Sequence, residues 1–143
     1  MTTAGTNETA FKKLITSKFN GFNLKGKKRF VENKVNISVD ESFKLNNINY
    51  LIEIDSGNMA KFLVGQYVLL NQLISENKSD YCFLIVHTYK DYNIDRTLNN
   101  LNFINKRLYN NRGLKFGVIH FENISNISGL NIQSLLTNFT YGD

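Results

Sequence analysis

Residues 39–58 read VDESFKLNNINYLIEIDSGN, and the reading of this stretch decides the fold. From residue 35 to residue 45 the odd positions are Val, Ile, Val, Glu, Phe and Leu, and the even ones Asn, Ser, Asp, Ser and Lys. That alternation is the period of a strand with one face in the core. Asn46-Asn47 follows, and asparagine tolerates the positive φ that a tight two-residue hairpin turn requires. Residues 48–55 then return as a second strand. Pairing across that turn sets Leu45 against Ile48, Phe43 against Tyr50 and Asp40 against Glu53.

Side chains alternate between the faces of a strand, so Asp40, Glu53 and Asp55 emerge on one side. Directly opposed residues have Cβ atoms about 5 Å apart, and Glu53 and Asp55 lie about 7 Å apart along their strand. Phe43, Leu45, Ile48, Tyr50, Ile52 and Ile54 form the opposite, apolar face. Three carboxylates this close repel one another and shift to higher pKa unless a cation sits among them. Oxygen-only ligands in a partly hydrated site suit Mg²⁺. Such an ion can generate hydroxide and stabilise a phosphodiester transition state.

Outward from the hairpin, residues 6–19 carry Phe11, Leu14, Ile15 and Phe19 at helical spacing, with Thr6 or Asn7 as the expected cap. Ser56-Gly57-Asn58 breaks the second strand. A helix is expected from there to about residue 76, with Met59, Phe62, Leu63, Leu70, Leu73 and Ile74 on its apolar stripe. Gln66 falls within that stripe, and a buried glutamine must find hydrogen-bond partners. Lys61 falls on the opposite, solvent side. YCFLIVHTY, residues 81–89, reads as a strand covered on both faces. A helix over 95–109 closed by Gly113, a buried strand over 114–121 and a short helix over 130–139 complete the pattern. The expected fold class is therefore α/β, a mixed central β-sheet flanked by helices in one domain spanning residues 1–143.

The whole chain of 143 residues has a formal charge of +5, but the charge is not evenly spread. Residues 1–34 hold eight Lys or Arg against Glu8 and Glu32, whereas residues 35–143 hold nine against ten acids. Lys18, Lys25, Lys27, Lys28 and Arg29, interleaved with Phe19, Phe22 and Phe30, form a glycine-containing loop suited to a polyanion backbone such as a nucleic acid. One cysteine, Cys82, excludes an internal disulfide and a cysteine zinc site, which fits a cytoplasmic protein. No apolar run approaches the roughly 18 residues of a membrane span, and no secretion signal is expected. His87 and His120 each lie in an apolar strand and read as core residues. No glycine-rich phosphate loop or dinucleotide fingerprint is present.

Asp40, a gap of twelve residues, and Glu53-Ile54-Asp55 on an apolar strand resemble the signature of the PD-(D/E)XK nucleases. The resemblance covers roughly residues 6–90 and implies a restriction endonuclease-like αβββαβ core. It also implies a Mg²⁺- or Mn²⁺-dependent endonuclease acting on DNA, in a restriction, repair, transposition or phage system, as a homodimer or within a larger protein complex. Carried over, Asp40 and Glu53 are metal ligands and Asp55 stands in the position of the motif lysine, where it would add a third carboxylate to the metal. Gln66 corresponds to a helix glutamine that reaches the active site in some members, and Glu8 to a first-helix glutamate that completes the metal site in others. Val39 replaces the motif proline. The missing lysine keeps a second expectation open, a degenerate nuclease fold that binds nucleic acid or a protein without cleaving.

Overall fold

The structure is a computed structural model, and it describes residues 5–143. Helix α1, Thr6–Lys18, starts one residue after Gly5, whose φ of +85° occupies the cap position expected of Thr6 or Asn7. Strands β1 (Lys28–Glu32) and β2 (Val35–Val39) follow, then β3 (Glu41–Leu45) and β4 (Ile48–Asp55). Helix α2 (Ala60–Leu73) leads to β5 (Tyr81–His87), α3 (Asp95–Tyr109) to β6 (Lys115–His120), and α4 (Ile132–Thr137) to β7 (Thr140–Tyr141).

The fold is mixed α/β, with a five-stranded sheet in the order β3-β4-β5-β6-β7 and helices against it. The inner pairs β4/β5 and β5/β6 are parallel, and the outer pairs β3/β4 and β6/β7 are antiparallel. Parallel neighbours need a crossover, and α2 and α3 supply the two crossovers here. All seven residues of β5 are buried, as a central strand covered on both faces requires. One core layer joins Phe11 and Ile15 of α1 and Phe19 just after it with Ile52, Ile54 and Leu84. The other joins Leu63, Tyr67 and Leu70 of α2 and Leu101 of α3 with Leu51, Phe83 and Ile85. Alternation along β4 therefore sends Ile52 and Ile54 to one layer, and Leu51, Glu53 and Asp55 to the other. Among the described residues no helix is long and apolar enough to cross a membrane.

Two expectations needed correction. The alternating run over 35–45 is not one strand: the chain bends at Asp40, so that β2 and β3 belong to different sheets. β2 pairs instead with β1, around a turn in which Asn33 and Lys34 have φ of 49° and 67°. The basic segment expected to be a loop through residue 30 thus becomes a strand from Lys28. The apolar stripe of α2 is also rotated. Met59 and Phe62 are exposed, while Ala60, Tyr67 and Asn71 are buried beside Leu63 and Gln66. Asn71 earns its buried place by bonding the Tyr67 carbonyl and the Leu114 N–H, each at 2.8 Å. The β3/β4 register is the expected one, with Leu45 opposite Ile48 and Phe43 opposite Tyr50. Asn46 and Asn47 take φ of 51° and 66° at that turn.

A candidate carboxylate site at the hairpin edge

β3 is an edge strand, and the bend at Asp40 carries the chain away from the sheet just where β4 continues. The Ile54 N–H would lose its ladder partner there. Asp40 replaces that partner: its Oδ2 accepts from the Ile54 N–H at 2.9 Å. The same bend brings the Asp40 N–H onto the Glu53 carboxylate. A side chain and a main chain thus close the hairpin end and hold two carboxyl groups face to face.

Glu53 is half-buried and takes a further hydrogen bond from Gln66 of α2. Gln66 also donates Nε2 to the Ser38 carbonyl at 3.1 Å, which satisfies the buried glutamine and joins α2 to β2. Even so, Oε1 of Glu53 is buried without a hydrogen-bond partner. Burial, and then the charge of Asp40, push the Glu53 carboxyl up to about 8 from its ordinary 4.5. Glu8 reaches the same place from α1. Its carboxyl is also raised, by partial burial first and then by the charge and hydrogen bond of Asp40, while Lys27 and Lys12 pull it the other way.

Asp55 stands apart from this group. It lies opposite His87 in the parallel β4/β5 register, and its Oδ2 is 3.2 Å from His87 Nδ1. Neither atom completes a hydrogen bond, so the contact is close but poorly aligned. His87 is fully buried. Its Nε2 lies 2.8 Å from Thr97 Oγ1, which in turn lies 2.8 Å from the Tyr92 hydroxyl, and the Tyr92 ring stacks on the imidazole. The expectation of a satisfied core residue holds for His120, whose Nε2 meets the Tyr89 carbonyl and whose Nδ1 accepts from the Glu122 N–H. It holds for only one nitrogen of His87.

The structure therefore brings Glu8, Asp40, Glu53 and Gln66 together and turns Asp55 toward β5. Among the described residues, no three His, Cys, Asp or Glu side chains are arranged as ligands of one metal ion. Glu8, Asp40 and Glu53 touch in a row, with Asp40 between the other two.

The basic residues divide as well. Lys25, Lys27 and Lys28 line one groove, joined by Lys44, which no charge cluster in the sequence marks out. Lys18 is tied to the Ser125 carbonyl at 3.3 Å and is not among the lining residues, and neither is Arg29. Lys61 is exposed, as expected. Glu41, outside the expected acidic face, has a structural task. It is 2% exposed, and its carboxylate accepts from the Gly26 and Ser42 N–H groups and meets Lys12 Nζ at 3.5 Å. Glu41→Ala would strand two N–H groups and detach the 24–27 loop. It is expected to cost about 2–3 kcal/mol, read as a lower urea midpoint. An unchanged midpoint would show that the loop holds without it.

Compared with protein-family profiles, with curated proteins and with solved structures, the chain matches none.

Proposed function

We propose that the chain is a nuclease of the PD-(D/E)XK type that hydrolyses DNA with Mg²⁺ or Mn²⁺. One observation carries the reading. Asp40 and Glu53 are fastened face to face by the chain's own hydrogen bonds, and a buried Glu53 oxygen is left with no partner. A buried, unpartnered carboxylate oxygen beside a second acid is costly without a cation. The donors are all oxygen, and Mg²⁺ is commonly held by one or two carboxylates, water and substrate phosphate. The residues present therefore fit the ion without a third protein ligand.

When bound, the ion supplies a water of lowered pKa and charge stabilisation for a phosphoryl transition state. The chain's residues set the rest. Asp40 and Glu53 hold the ion, and Glu8 extends the acidic row. Gln66 fixes the Glu53 rotamer through its bonds to that carboxylate and to Ser38. Asp55, in the position of the motif lysine, orients against His87 at the end of β4. Between α1 and α2 the chain carries β1 to β4, of which only β3 and β4 join the main sheet, so it departs from an αβββαβ core by the β1/β2 hairpin inserted after α1, while α2 and β5 follow in the expected order. A homodimer or a larger protein complex on DNA belongs to the same proposal.

Incubating supercoiled plasmid, linear duplex and single-stranded DNA with the chain tests the reading. Cleavage of at least one form is expected in millimolar Mg²⁺ or Mn²⁺, and none in chelator. Intact DNA in every form, with the chain folded and DNA bound, would replace the enzyme with a non-cleaving binding module.

A further inference from the structure

Next to the carboxylate row lies a hollow of about 190 Å³ lined by Lys25, Lys27, Lys28 and Lys44, with Ser42 and Asn49 among its other walls. No acid lines it, and among the described residues none of these four ammonium groups forms an ion pair. Four like charges around one concavity repel each other, and an anion placed between them relieves that repulsion.

The groove is built before any ligand arrives. The Lys25 N–H donates to the Ser42 carbonyl at 2.8 Å, and Ser42 Oγ donates to the Gly26 carbonyl at 2.9 Å. Gly26, at φ +87°, makes the turn between Lys25 and Lys27, and the buried Glu41 carboxylate holds its N–H. Lys28 is steadied over the rings of Phe30 and Tyr81, with centroids 5.7 and 5.8 Å away. Backbone fixed in this way lowers the ordering cost of binding.

Its position is set by the hairpin. In the β3/β4 register Ser42 lies opposite Leu51 and Lys44 opposite Asn49, two successive rows on the face that carries Asp40 and Glu53. Four residues of strand place Lys44 about 13 Å from Asp40. Lys27 belongs to both ends of this strip, since it lines the groove and its charge also acts on Glu8.

We propose that this lysine groove binds a backbone phosphate of the same nucleic-acid strand whose neighbouring phosphate lies at Asp40 and Glu53. The groove fixes which phosphodiester reaches the acids, and this placement, though not the groove itself, rests on the nuclease reading. The chemistry recognised is a phosphate, which a nucleic-acid backbone or free inorganic phosphate could supply.

Anisotropy titrations of labelled single-stranded and duplex oligonucleotides in chelator, across salt concentrations, read binding without cleavage. Lys44 is exposed, so Lys44→Ala leaves the core intact. Its slope of log affinity against log salt should fall by about 0.7 on single strands and about 0.9 on duplex, the change that follows when one fewer phosphate is neutralised. Lys61→Ala, off the groove, should leave the slope unchanged. Equal slopes for Lys44→Ala and the parent chain would overturn the proposal. So would inorganic phosphate binding that Lys44→Ala abolishes while DNA binding stays as it was. Because no cleavage is measured, an inactive chain that shows the slope change loses the enzyme reading and keeps the groove. An active chain that lacks the change loses the groove alone.

Discussion

Glu53→Gln is expected to stabilise the metal-free chain and to remove the proposed metal-dependent cleavage at the same time. Burial and the charge of Asp40 raise the Glu53 carboxyl to about 8 in the folded chain, against about 4.5 when exposed. Between those values the folded state keeps a proton that the unfolded state has released, so stability falls as pH rises through the window. Glutamine does not titrate. At pH 8.5 without metal the variant should therefore be more stable by about 3 kcal/mol, less than the full shift implies because the site is partly open to water. The difference should close as pH falls toward 4.5. Urea midpoints of the two chains across that range read it directly. Millimolar Mg²⁺ should restore the parent chain and leave the variant unmoved, because only a ligand of the folded state adds stability. Cleavage should fall at least about a thousandfold, the scale of several kcal/mol of transition-state stabilisation. Equal stability of the two chains at pH 8.5 would mean that Glu53 ionises there without penalty.

Asp40 separates charge from structure. Asp40→Asn keeps an acceptor for the Ile54 N–H, so its stability should stay within about 1 kcal/mol of the parent. It removes the charge facing Glu53 and Glu8, so the pH window over which the chain loses stability should move toward ordinary carboxyl values. Metal-dependent cleavage should drop at least about a hundredfold. Asp40→Leu strands the Ile54 N–H as well and should cost about 1–3 kcal/mol in urea unfolding. If Asp40→Asn cleaved as the parent does, the hairpin end would be structural and the active carboxylates elsewhere.

Much of this site was legible in the sequence because strand alternation and the Asn46-Asn47 turn constrain register strongly. A slip of one residue would have turned Ile52 and Ile54 toward the α2 layer and the acids into the layer of Phe11 and Ile15. The break at Asp40 was not legible. A strand that continues and one that bends into a second sheet show the same alternation, and the Asn33-Lys34 turn lacks the glycine that marks most such hairpins. The phase of α2 was hidden because Ala60 and Asn71 carry little hydrophobic signal, yet tertiary packing buries both. His87 meets Asp55 only through the parallel register of β4 and β5, which side-chain packing sets after the strands exist. Glu41 was different. It was missed, although it is the one acid among the apolar odd positions of residues 35–45, and that anomaly is the signal that could have marked it.

Mn²⁺ binding shows whether Asp40 and Glu53 share one divalent cation, as proposed. The signal of free Mn²⁺ in electron paramagnetic resonance falls as the ion binds, so a titration counts sites without any substrate. One site is expected on the parent chain, lost in Asp40→Asn and in Glu53→Gln, and competed by Mg²⁺. Undiminished Mn²⁺ binding in the double variant, or no binding by the parent chain in the millimolar range, would contradict it.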